Sequence, residues 1–205
     1  DDSDLPMRLQ LEARFGTDGR DALLDTFARA WITDADLAWL ASQGFNLVRV
    51  PLGYRALLEN SDAEPLQELR WNERSWDRIQ WLLDACEAHG IYAVVDLQES
   101  PGGHNDYSGE AQLYDDPAMQ ELTLELWAEL VDRFGDEPAV AAWSLLAEPF
   151  SAPSSEARDA MYDRLHDQIR AAGDDHLLVI HDGFQGMWDL PDPVDMGWTG
   201  VVYST

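Results

Sequence analysis

The sequence predicts an α/β fold of the (β/α)8 TIM-barrel type, built on a parallel sheet. Three observations favour it. Short apolar segments rich in β-branched residues recur along the chain, amphipathic segments of helical period separate them, and the long loops follow the apolar segments. Strand–helix–strand units connect by right-handed crossovers into a parallel sheet, and the C-terminal strand ends of such sheets carry binding residues.

The elements follow one another in regular alternation. Thr33 and Asp36 have the spacing of a capping box and mark the first helix start, and glycines such as Gly44 mark helix ends. The predicted helices span 35–42, 73–88, 117–134 and 155–172. The predicted strands span 45–51, 91–97, 140–148, 176–181 and 200–205. No linker or repeat interrupts this order, so residues 1–205 are expected to form a single domain.

Composition narrows the class of protein. With 205 residues, 45% hydrophobic residues and nine tryptophans, the chain is long and apolar enough for one folded domain. Cys86 is the only cysteine, which argues against a disulfide framework or a cysteine metal site. No run of about 18 apolar residues exists, so no membrane-spanning segment is expected.

The charge is extreme. The formal net charge is −27, and none of the 13 basic residues is lysine. This composition is typical of salt-adapted proteins, in which self-repulsion is screened; an arginine-rich protein from a GC-rich genome is the alternative. Such a chain repels nucleic acid backbones. The compartment and the oligomeric state stay open, with an extracellular, high-salt setting favoured for the former.

Common catalytic motifs are missing from the sequence. It contains no G-x-G-x-x-G, Walker loop, H-E-x-x-H, EF-hand or G-x-S-x-G pattern, which argues against dinucleotide, P-loop, zincin and serine-hydrolase chemistry. An aldolase that uses a Schiff base is excluded by the absence of lysine. An unrelated barrel enzyme acting on a small substrate remains a third, less favoured interpretation.

Polar residues at strand ends are the remaining candidates. Glu148 ends the apolar run 140–148 and suits a general acid, although most of the 40 acidic residues must simply be solvated. Arg49 lies inside an apolar strand, where a charge must be paired or face a polar cavity. Asp96 also lies within a strand and is a candidate structural partner for a loop amide.

Loop residues give weaker signals. The glycine-rich loop carries His104, Asn105 and Asp106, a group that could ligate a cation. The pair at 181–182 is favoured as a satisfied hydrogen-bonding unit over acid–base or metal chemistry. Tryptophans in the last long loop, at 188 and 198, offer flat faces that suit stacking on sugar rings.

With these segments placed, the chain resembles glycoside hydrolase family 5, most closely its exo-β-1,3-glucanase-like branch. The matching segments occur in family order along nearly the whole chain. They are Trp31-Ile-Thr-Asp34, Gly44-Phe-Asn-Leu-Val-Arg-Val-Pro51, Val95-Asp-Leu-Gln98, Ser100-Pro-Gly-Gly-His-Asn105, Ser108-Gly109, Leu145-Leu-Ala-Glu-Pro149, Ile180-His-Asp-Gly-Phe184, Gly197-Trp198 and Val201-Val-Tyr-Ser204.

The resemblance implies retaining hydrolysis of β-glucosidic bonds by two carboxylates about 5 Å apart. Glu148 matches the acid/base, and Arg49 matches the arginine that supports the nucleophile. The implied substrate is a β-glucan or oligosaccharide, with no cofactor and no metal. The implied substrate-binding residues are Arg49, Gln98, His104, Asn105, Ala147, Trp188 and Tyr203.

The chain also departs from the family pattern. Gln98 stands where members usually have histidine, and Ala147 stands where they have an asparagine that binds the substrate 2-hydroxyl. The segments match barrel strands two to six, and no residue matches the nucleophile. We therefore expect an incomplete, open barrel that is inactive by itself, with partly uncovered apolar surface. The alternative is a degenerate barrel that binds β-glucan without cleaving it.

Overall fold

The computed structural model describes residues 5–105 and 111–205. Asp106 and the Ser108-Gly109 segment therefore lie outside the described residues. The helices are α1 (Leu5–Trp31), α2 (Asp34–Ser42), α3 (Glu73–Ala88), α4 (Pro117–Phe134), α5 (Ser155–Ala171) and α6 (Pro193–Met196). The strands are β1 (Leu47–Gly53), β2 (Tyr92–Glu99), β3 (Val140–Ser144), β4 (Leu177–His181) and β5 (Val201–Ser204).

The five strands form one parallel sheet in the order β1-β2-β3-β4-β5. Sequential strands are neighbours, and α3, α4 and α5 each connect one strand to the next. This is the order of consecutive strands in a barrel. The sheet stays open among the described residues, with β1 and β5 at its edges.

Most predicted elements are confirmed, with bounds that shift by a few residues. The helices at 73–88 and 117–134 have the predicted bounds. The predicted capping box is present, since Asp36 accepts hydrogen bonds from the backbone N–H and the hydroxyl of Thr33, at 2.8 and 2.7 Å. The strand predicted over 140–148 ends at Ser144, because the next residues turn out of the ladder.

No helix or strand is predicted before residue 35, yet α1 occupies Leu5–Trp31. Gly16 divides α1, with φ 73° and ψ 170° at a kink between two helical stretches. A conformation with positive φ suits glycine, which has no Cβ to clash. The helical period was obscured because exposed apolar residues, such as Phe27 and Trp31, lie among the charged ones.

One face of the sheet carries the core. Val95, Leu97, Trp143, Leu178 and Ile180 are at most 1% exposed on this face and pack toward the helices. The aromatic side chains of α3, α4 and α5 complete the cluster with Trp76, Trp127 and Tyr162. Burying each such side chain contributes about 1.5–3 kcal/mol, so this layer dominates the stability of the fold.

The opposite side of the sheet, here called the open face, is partly uncovered. Paired residues of parallel strands point to the same side, which places Leu47, Tyr92, Leu177 and Val202 together on it. Their exposed fractions are 51%, 52%, 48% and 45%. The predicted uncovered apolar surface is therefore confirmed for the part of the chain that the structure describes.

The loops after β3 and β4 pack against each other at the C-terminal end of the sheet. Gly183 has φ 67°, and a Cβ placed there would lie 2.8 Å from the carbonyl oxygen of Pro149. The rings of Phe150 and Phe184 are 5.6 Å apart. No helix in the described ranges is long and apolar enough to cross a membrane.

The close approach of Gly183 to the carbonyl of Pro149 predicts that a side chain at Gly183 destabilises the fold. Gly183→Ala is expected to lower the free energy of unfolding by more than the about 1–2 kcal/mol that positive φ costs a residue with a Cβ, since a backbone clash is added. Gly173→Ala is the matched control, because Gly173 has φ 86° and open space around its Cβ position. Urea unfolding measures both variants, and equal losses would show that the two loops do not constrain each other.

Candidate functional site

A polar cluster lies on the open face at the C-terminal end of the sheet. The Arg49 guanidinium on β1 lies 2.8 Å from Oδ2 of Asp96 on β2. The other carboxylate oxygen of Asp96 is 2.5 Å from the Ser144 hydroxyl on β3. Ser144 in turn lies 3.0 Å from Nε2 of His181 on β4. Four neighbouring strands thus contribute one side chain each to a continuous polar network.

The chemistry of the groups fixes the direction of these hydrogen bonds. An ionised carboxylate can only accept, so the Ser144 hydroxyl donates to Asp96. The single proton of Ser144 is then used, and its oxygen must accept from His181. His181 is therefore protonated on Nε2. Burial lowers the pKa of His181, and the nearby Asp96 carboxylate partly opposes that shift.

Asp96 is the member of the cluster that most requires a partner charge, because its carboxylate is buried. Its side chain is fully buried, whereas that of Arg49 is 48% exposed. A buried charge is costly unless it is paired, and Arg49 supplies the pairing charge. No aligned hydrogen-bond donor to Oδ2 is found among the described residues, although the guanidinium lies close. The predicted role of Asp96 as a partner for a loop amide is wrong, since it pairs with Arg49 and Ser144.

Glu148 follows β3 in an unusual backbone conformation. It has φ 52°, in the left-handed region that costs a residue with a Cβ roughly 1–2 kcal/mol. The side chain is partly buried and lies within electrostatic range of His181. Strain of this kind persists where surrounding contacts over-determine the backbone, and it is concentrated at functional sites.

The contacts that hold this backbone come from both neighbouring strands. The N–H of Ala147 donates to the carbonyl of Leu97 at 3.0 Å, and the N–H of Leu145 donates to Val179 at 3.1 Å. The carbonyl of Ala147 accepts from His104 Nε2 at 2.6 Å and from the Asn105 amide at 3.4 Å. The residue before Glu148 is thus fixed through both its N–H and its carbonyl.

His104 and Asn105 were expected to bind substrate, but the structure gives them a different position. They are 1% and 4% exposed, and both side chains reach the carbonyl of Ala147. Both ring nitrogens of His104 have partners, with Nδ1 3.0 Å from the Ser100 hydroxyl. Buried side chains with such partners support the Glu148 loop and do not face an incoming ligand.

The tautomer of His104 follows from its partners. A carbonyl oxygen can only accept, so Nε2 carries the proton, and Nδ1 accepts from the hydroxyl of Ser100. Burial lowers the pKa of His104 to about 4, partly opposed by the hydrogen bond to Ala147. The ring is therefore neutral near pH 7.

The two positions that depart from the resembled pattern lie next to each other. Gln98 is partly buried, and its Oε1 accepts from Arg49 at 3.1 Å, so it joins the polar cluster. Ala147 is fully buried. The methyl group of Ala147 offers no hydrogen-bond donor, so its substrate-binding role is reduced to backbone placement.

The aromatic residues expected to contact a sugar differ in exposure and in hydrogen bonding. Tyr203 pairs with Ile180 on the helix-facing side of the sheet, away from the polar cluster, and its hydroxyl donates to the carbonyl of Pro191 at 2.5 Å. Trp198 is 5% exposed, and its indole N–H donates to Asp163 at 2.9 Å. Trp188 is 97% exposed on the loop after β4.

Asp182 orders the backbone of the loop after β4. Its two carboxylate oxygens accept the backbone N–H groups of Phe184 and Gly186, at 2.9 and 2.7 Å, and its carbonyl accepts from Arg158. These bonds agree with the interpretation of 181–182 as a hydrogen-bonding unit. Sequence reasoning missed the role of Ser144 and the link from it to His181. No local signal in the sequence finds this link, because alternation within each strand does not fix the register that brings 49, 96, 144 and 181 together.

Two cavities lie away from Glu148. One of about 690 Å³ lies between α4 and α5, toward the N-terminal end of the sheet. Another, of about 200 Å³, lies beneath the loops after β3 and β4, where Arg158 and Asp189 line it. The polar cluster instead lies on an open surface. Within residues 5–105 and 111–205, no group of three or more His, Cys, Asp or Glu side chains is arranged to hold a metal ion.

The comparisons with known proteins agree with each other. The family model described as Cellulase (glycosyl hydrolase family 5) matches residues 15–203. A β-xylosidase of Phanerodontia chrysosporium is 28% identical over 97% of this chain and 42% of its own length. Glucan 1,3-beta-glucosidase 2 of Saccharomyces cerevisiae is 32% identical over 82% of this chain and 34% of its own length. The chain thus spans less than half of either relative.

The solved structures agree on the fold. Endoglucanase Cel5A of Pseudomonas stutzeri, in complex with cellobiose, superposes with a TM-score of 0.62 at 18% identity, over 83% of this chain and 50% of its own. A likeness at this identity concerns the fold alone. It confirms the predicted barrel type, of which the described residues form an open, five-stranded part.

The pairing of Arg49 with buried Asp96 predicts a coupling. Arg49→Met is expected to lower the free energy of unfolding by roughly 1–3 kcal/mol, less than the about 3–5 kcal/mol of a fully buried pair, because Arg49 is half-exposed. Asp96→Asn in the same chain should recover part of that loss, because no buried charge is then left unpaired. Denaturant unfolding of the two single variants and the double variant measures the coupling, and strictly additive losses would contradict it.

The buried neutral His104 predicts a pH dependence. Its folded pKa, about 4, lies below the ordinary value near 6.5, so the unfolded chain binds the proton more readily between these values. This contribution to stability is fully present above about pH 6.5 and is lost as the pH falls toward 4, by at most about 1.4 kcal/mol per pH unit.

His104→Gln keeps a donor for the carbonyl of Ala147 and should flatten the stability profile in that window. The wild-type chain is the reference. Urea unfolding at a series of pH values makes the comparison. An unchanged profile in His104→Gln would show that the imidazole is not held neutral.

Proposed function

The chain belongs to glycosyl hydrolase family 5, and on that premise we propose that it carries the acid/base half of a retaining β-glucan hydrolase. Glu148 is the proposed acid/base, acting on a β-glucan or its oligosaccharides. The observation that carries this proposal is the backbone of Glu148, held at positive φ at the C-terminal end of a barrel strand and anchored from both sides.

The surroundings of Glu148 support this assignment. The Glu148 side chain is only partly buried, so its carboxyl group stays within reach of a bound ligand, as a proton donor must. His181 lies within electrostatic range and is kept neutral, so it leaves no permanent positive charge beside the carboxyl group. Arg49, held by Asp96, supplies a fixed positive charge on the same face.

The retaining mechanism requires a second carboxylate about 5 Å from the first. Asp96 and Asp182 are the carboxylates that share the electrostatic surroundings of His181 with Glu148. Both are engaged, Asp96 by Arg49 and Ser144, and Asp182 by two backbone N–H groups. We therefore assign neither of them as the nucleophile. The 205 residues by themselves are expected to bind β-glucan without cleaving it.

A non-catalytic glucan-binding barrel is the second candidate. The observation that favours it is Ala147, which is buried and offers no side-chain donor beside Glu148. The two candidates differ in turnover by the protein that contains this chain. Glucan affinity without turnover there favours the binding protein, and turnover favours the enzyme.

Salt adaptation belongs to the same proposal. At a net charge of −27, carboxylate repulsion opposes folding and is screened over about 10 Å at 0.1 M salt and about 3 Å at 1 M. Stability and glucan binding are therefore expected to increase from about 0.1 M to about 1 M potassium chloride. These expectations describe a protein that works in concentrated salt, and an extracellular setting is part of the same proposal.

The acid/base assignment predicts how Glu148→Gln behaves in the protein that contains this chain. Turnover of laminari- and cello-oligosaccharides should fall by about 10²–10⁴, because a positioned proton donor is lost. Aryl β-glucosides with good leaving groups need less protonation and should lose much less in the bond-breaking step. Steady-state kinetics in about 1 M potassium chloride measures both substrates.

Glu125→Gln is the matched control, since Glu125 is exposed on α4 and carries the same charge change. It should leave both rates unchanged. A Glu148→Gln variant that cleaves oligosaccharides and aryl glucosides at wild-type rates would remove Glu148 from the mechanism.

A further inference from the structure

Three successive backbone carbonyls lead to Glu148, and each lies within hydrogen-bond distance of a buried side-chain donor. The carbonyl of Leu145 accepts the indole N–H of Trp127, on α4, at 3.2 Å. The carbonyl of Leu146 lies 3.2 Å from the hydroxyl of Tyr162, on α5. The third carbonyl, directly before Glu148, accepts from the loop after β2. Two of the donors therefore come from the helices that cover the other side of the sheet.

The carbonyls need these donors because β3 leaves its ladder with β4 at this point. The N–H of Leu145 still donates to the carbonyl of Val179. A regular parallel ladder would next join the N–H of His181 to the carbonyl of Leu145. That N–H donates instead to the hydroxyl of Tyr162, at 3.1 Å. Because buried backbone groups must be paired, Tyr162 replaces a ladder bond that the turn toward Glu148 removes.

The hydroxyl of Tyr162 connects the ends of β3 and β4. It accepts the N–H of His181, and its single proton faces the carbonyls of Leu146 and His181, at 3.2 and 3.1 Å. Burial raises the pKa of the Tyr162 hydroxyl well above its ordinary value, so the group keeps its proton and can donate and accept at once. A phenylalanine would fill the same space but would leave the N–H of His181 without this acceptor.

Both residues that this hydroxyl connects matter to the proposed site. Leu146 is two residues before Glu148, whose left-handed backbone persists only where neighbouring contacts fix it. His181 belongs to the polar cluster through its hydrogen bond with Ser144. The Tyr162 side chain itself is fully buried on the helix-facing side and cannot touch a ligand on the open face.

We propose that Tyr162 is a positioning residue for the acid/base, whose hydroxyl fixes the carboxyl group of Glu148 relative to the polar cluster by joining the backbones of Leu146 and His181. The inference rests on the proposed function and adds to it a residue on α5 that acts without contacting the substrate.

The test compares two tyrosine-to-phenylalanine variants of the protein that contains this chain. Tyr162→Phe removes the hydroxyl that connects the strands. Tyr114→Phe is the matched control, because the Tyr114 hydroxyl is also buried but has no hydrogen-bond partner among residues 5–105 and 111–205. Steady-state kinetics in concentrated potassium chloride gives kcat and KM for laminari- and cello-oligosaccharides and for aryl β-glucosides with good leaving groups. Urea unfolding in the same salt gives the folded fraction of each variant.

The expected result is a loss that depends on the leaving group. In Tyr162→Phe, kcat for oligosaccharides should fall about tenfold with little change in KM, because a displaced proton donor slows the step that needs it. Aryl β-glucosides should lose less than about twofold, since their leaving groups need less protonation. A variant that is only less folded would lose both rates by the same factor. Tyr114→Phe should behave as wild type.

A double variant tests whether Tyr162 acts through Glu148. In a Glu148→Gln background, Tyr162→Phe should cause no further loss on oligosaccharides, because residues that act through one group are not additive. Wild-type kinetics in Tyr162→Phe, equal losses for the two kinds of substrate, or a full additional loss in the double variant would overturn the positioning role and leave the assignment of Glu148 intact.

Hydrogen exchange of the wild-type protein covers the case in which Tyr162→Phe does not fold. The backbone N–H of His181 should exchange as slowly as the paired amides of β4, because it donates to a buried hydroxyl. Exchange at the rate of an exposed amide would also overturn the role of Tyr162. A wild-type protein without turnover, or a Glu148→Gln variant with wild-type rates, would overturn the proposed catalytic function and this inference with it.

Discussion

The buried carboxylate of Asp96 is the constraint on which the open face depends. A charge at 0% exposure is tolerated in a protein interior only with a partner charge and with donors for its oxygens. Arg49, on one neighbouring strand, supplies the partner charge, and Ser144, on the other, supplies a donor. Because the buried charge of Asp96 requires these partners, its ion pair and hydrogen bond connect β1, β2 and β3 at the end of the sheet where the proposed chemistry takes place.

Around this carboxylate the site divides into a rigid support and an accessible surface. The support consists of His104 and Asn105, which hold the carbonyl before Glu148, and of Asp182, which orders the next loop. The accessible part carries Glu148 and the end of the Gln98 side chain. Of the residues expected to contact substrate, the buried ones therefore belong to the support and the partly exposed ones to the accessible surface.

The sequence is sufficient to predict the alternation of strands and helices, the parallel sheet and the position of Glu148, because these depend on local periodicity and on strand ends. Pairing register cannot be obtained in this way, so the link from Asp96 through Ser144 to His181 was missed. Tyr203 illustrates the same limit, since a shift of one residue along a strand moves a side chain to the other face. The helix α1 was missed because its apolar residues are exposed and give no core-facing period.

The hydrogen bonds from His181 to Ser144 and from Ser144 to Asp96 run in one direction, and the tautomer of His181 reports that direction. A ¹⁵N NMR spectrum of the imidazole nitrogens at pH 7 distinguishes the two neutral forms. His181 is expected to be neutral and protonated on Nε2, so that Ser144 is free to donate to Asp96. A neutral His181 protonated on Nδ1 would contradict it, because the serine proton would then point to the imidazole and leave the buried carboxylate without that donor.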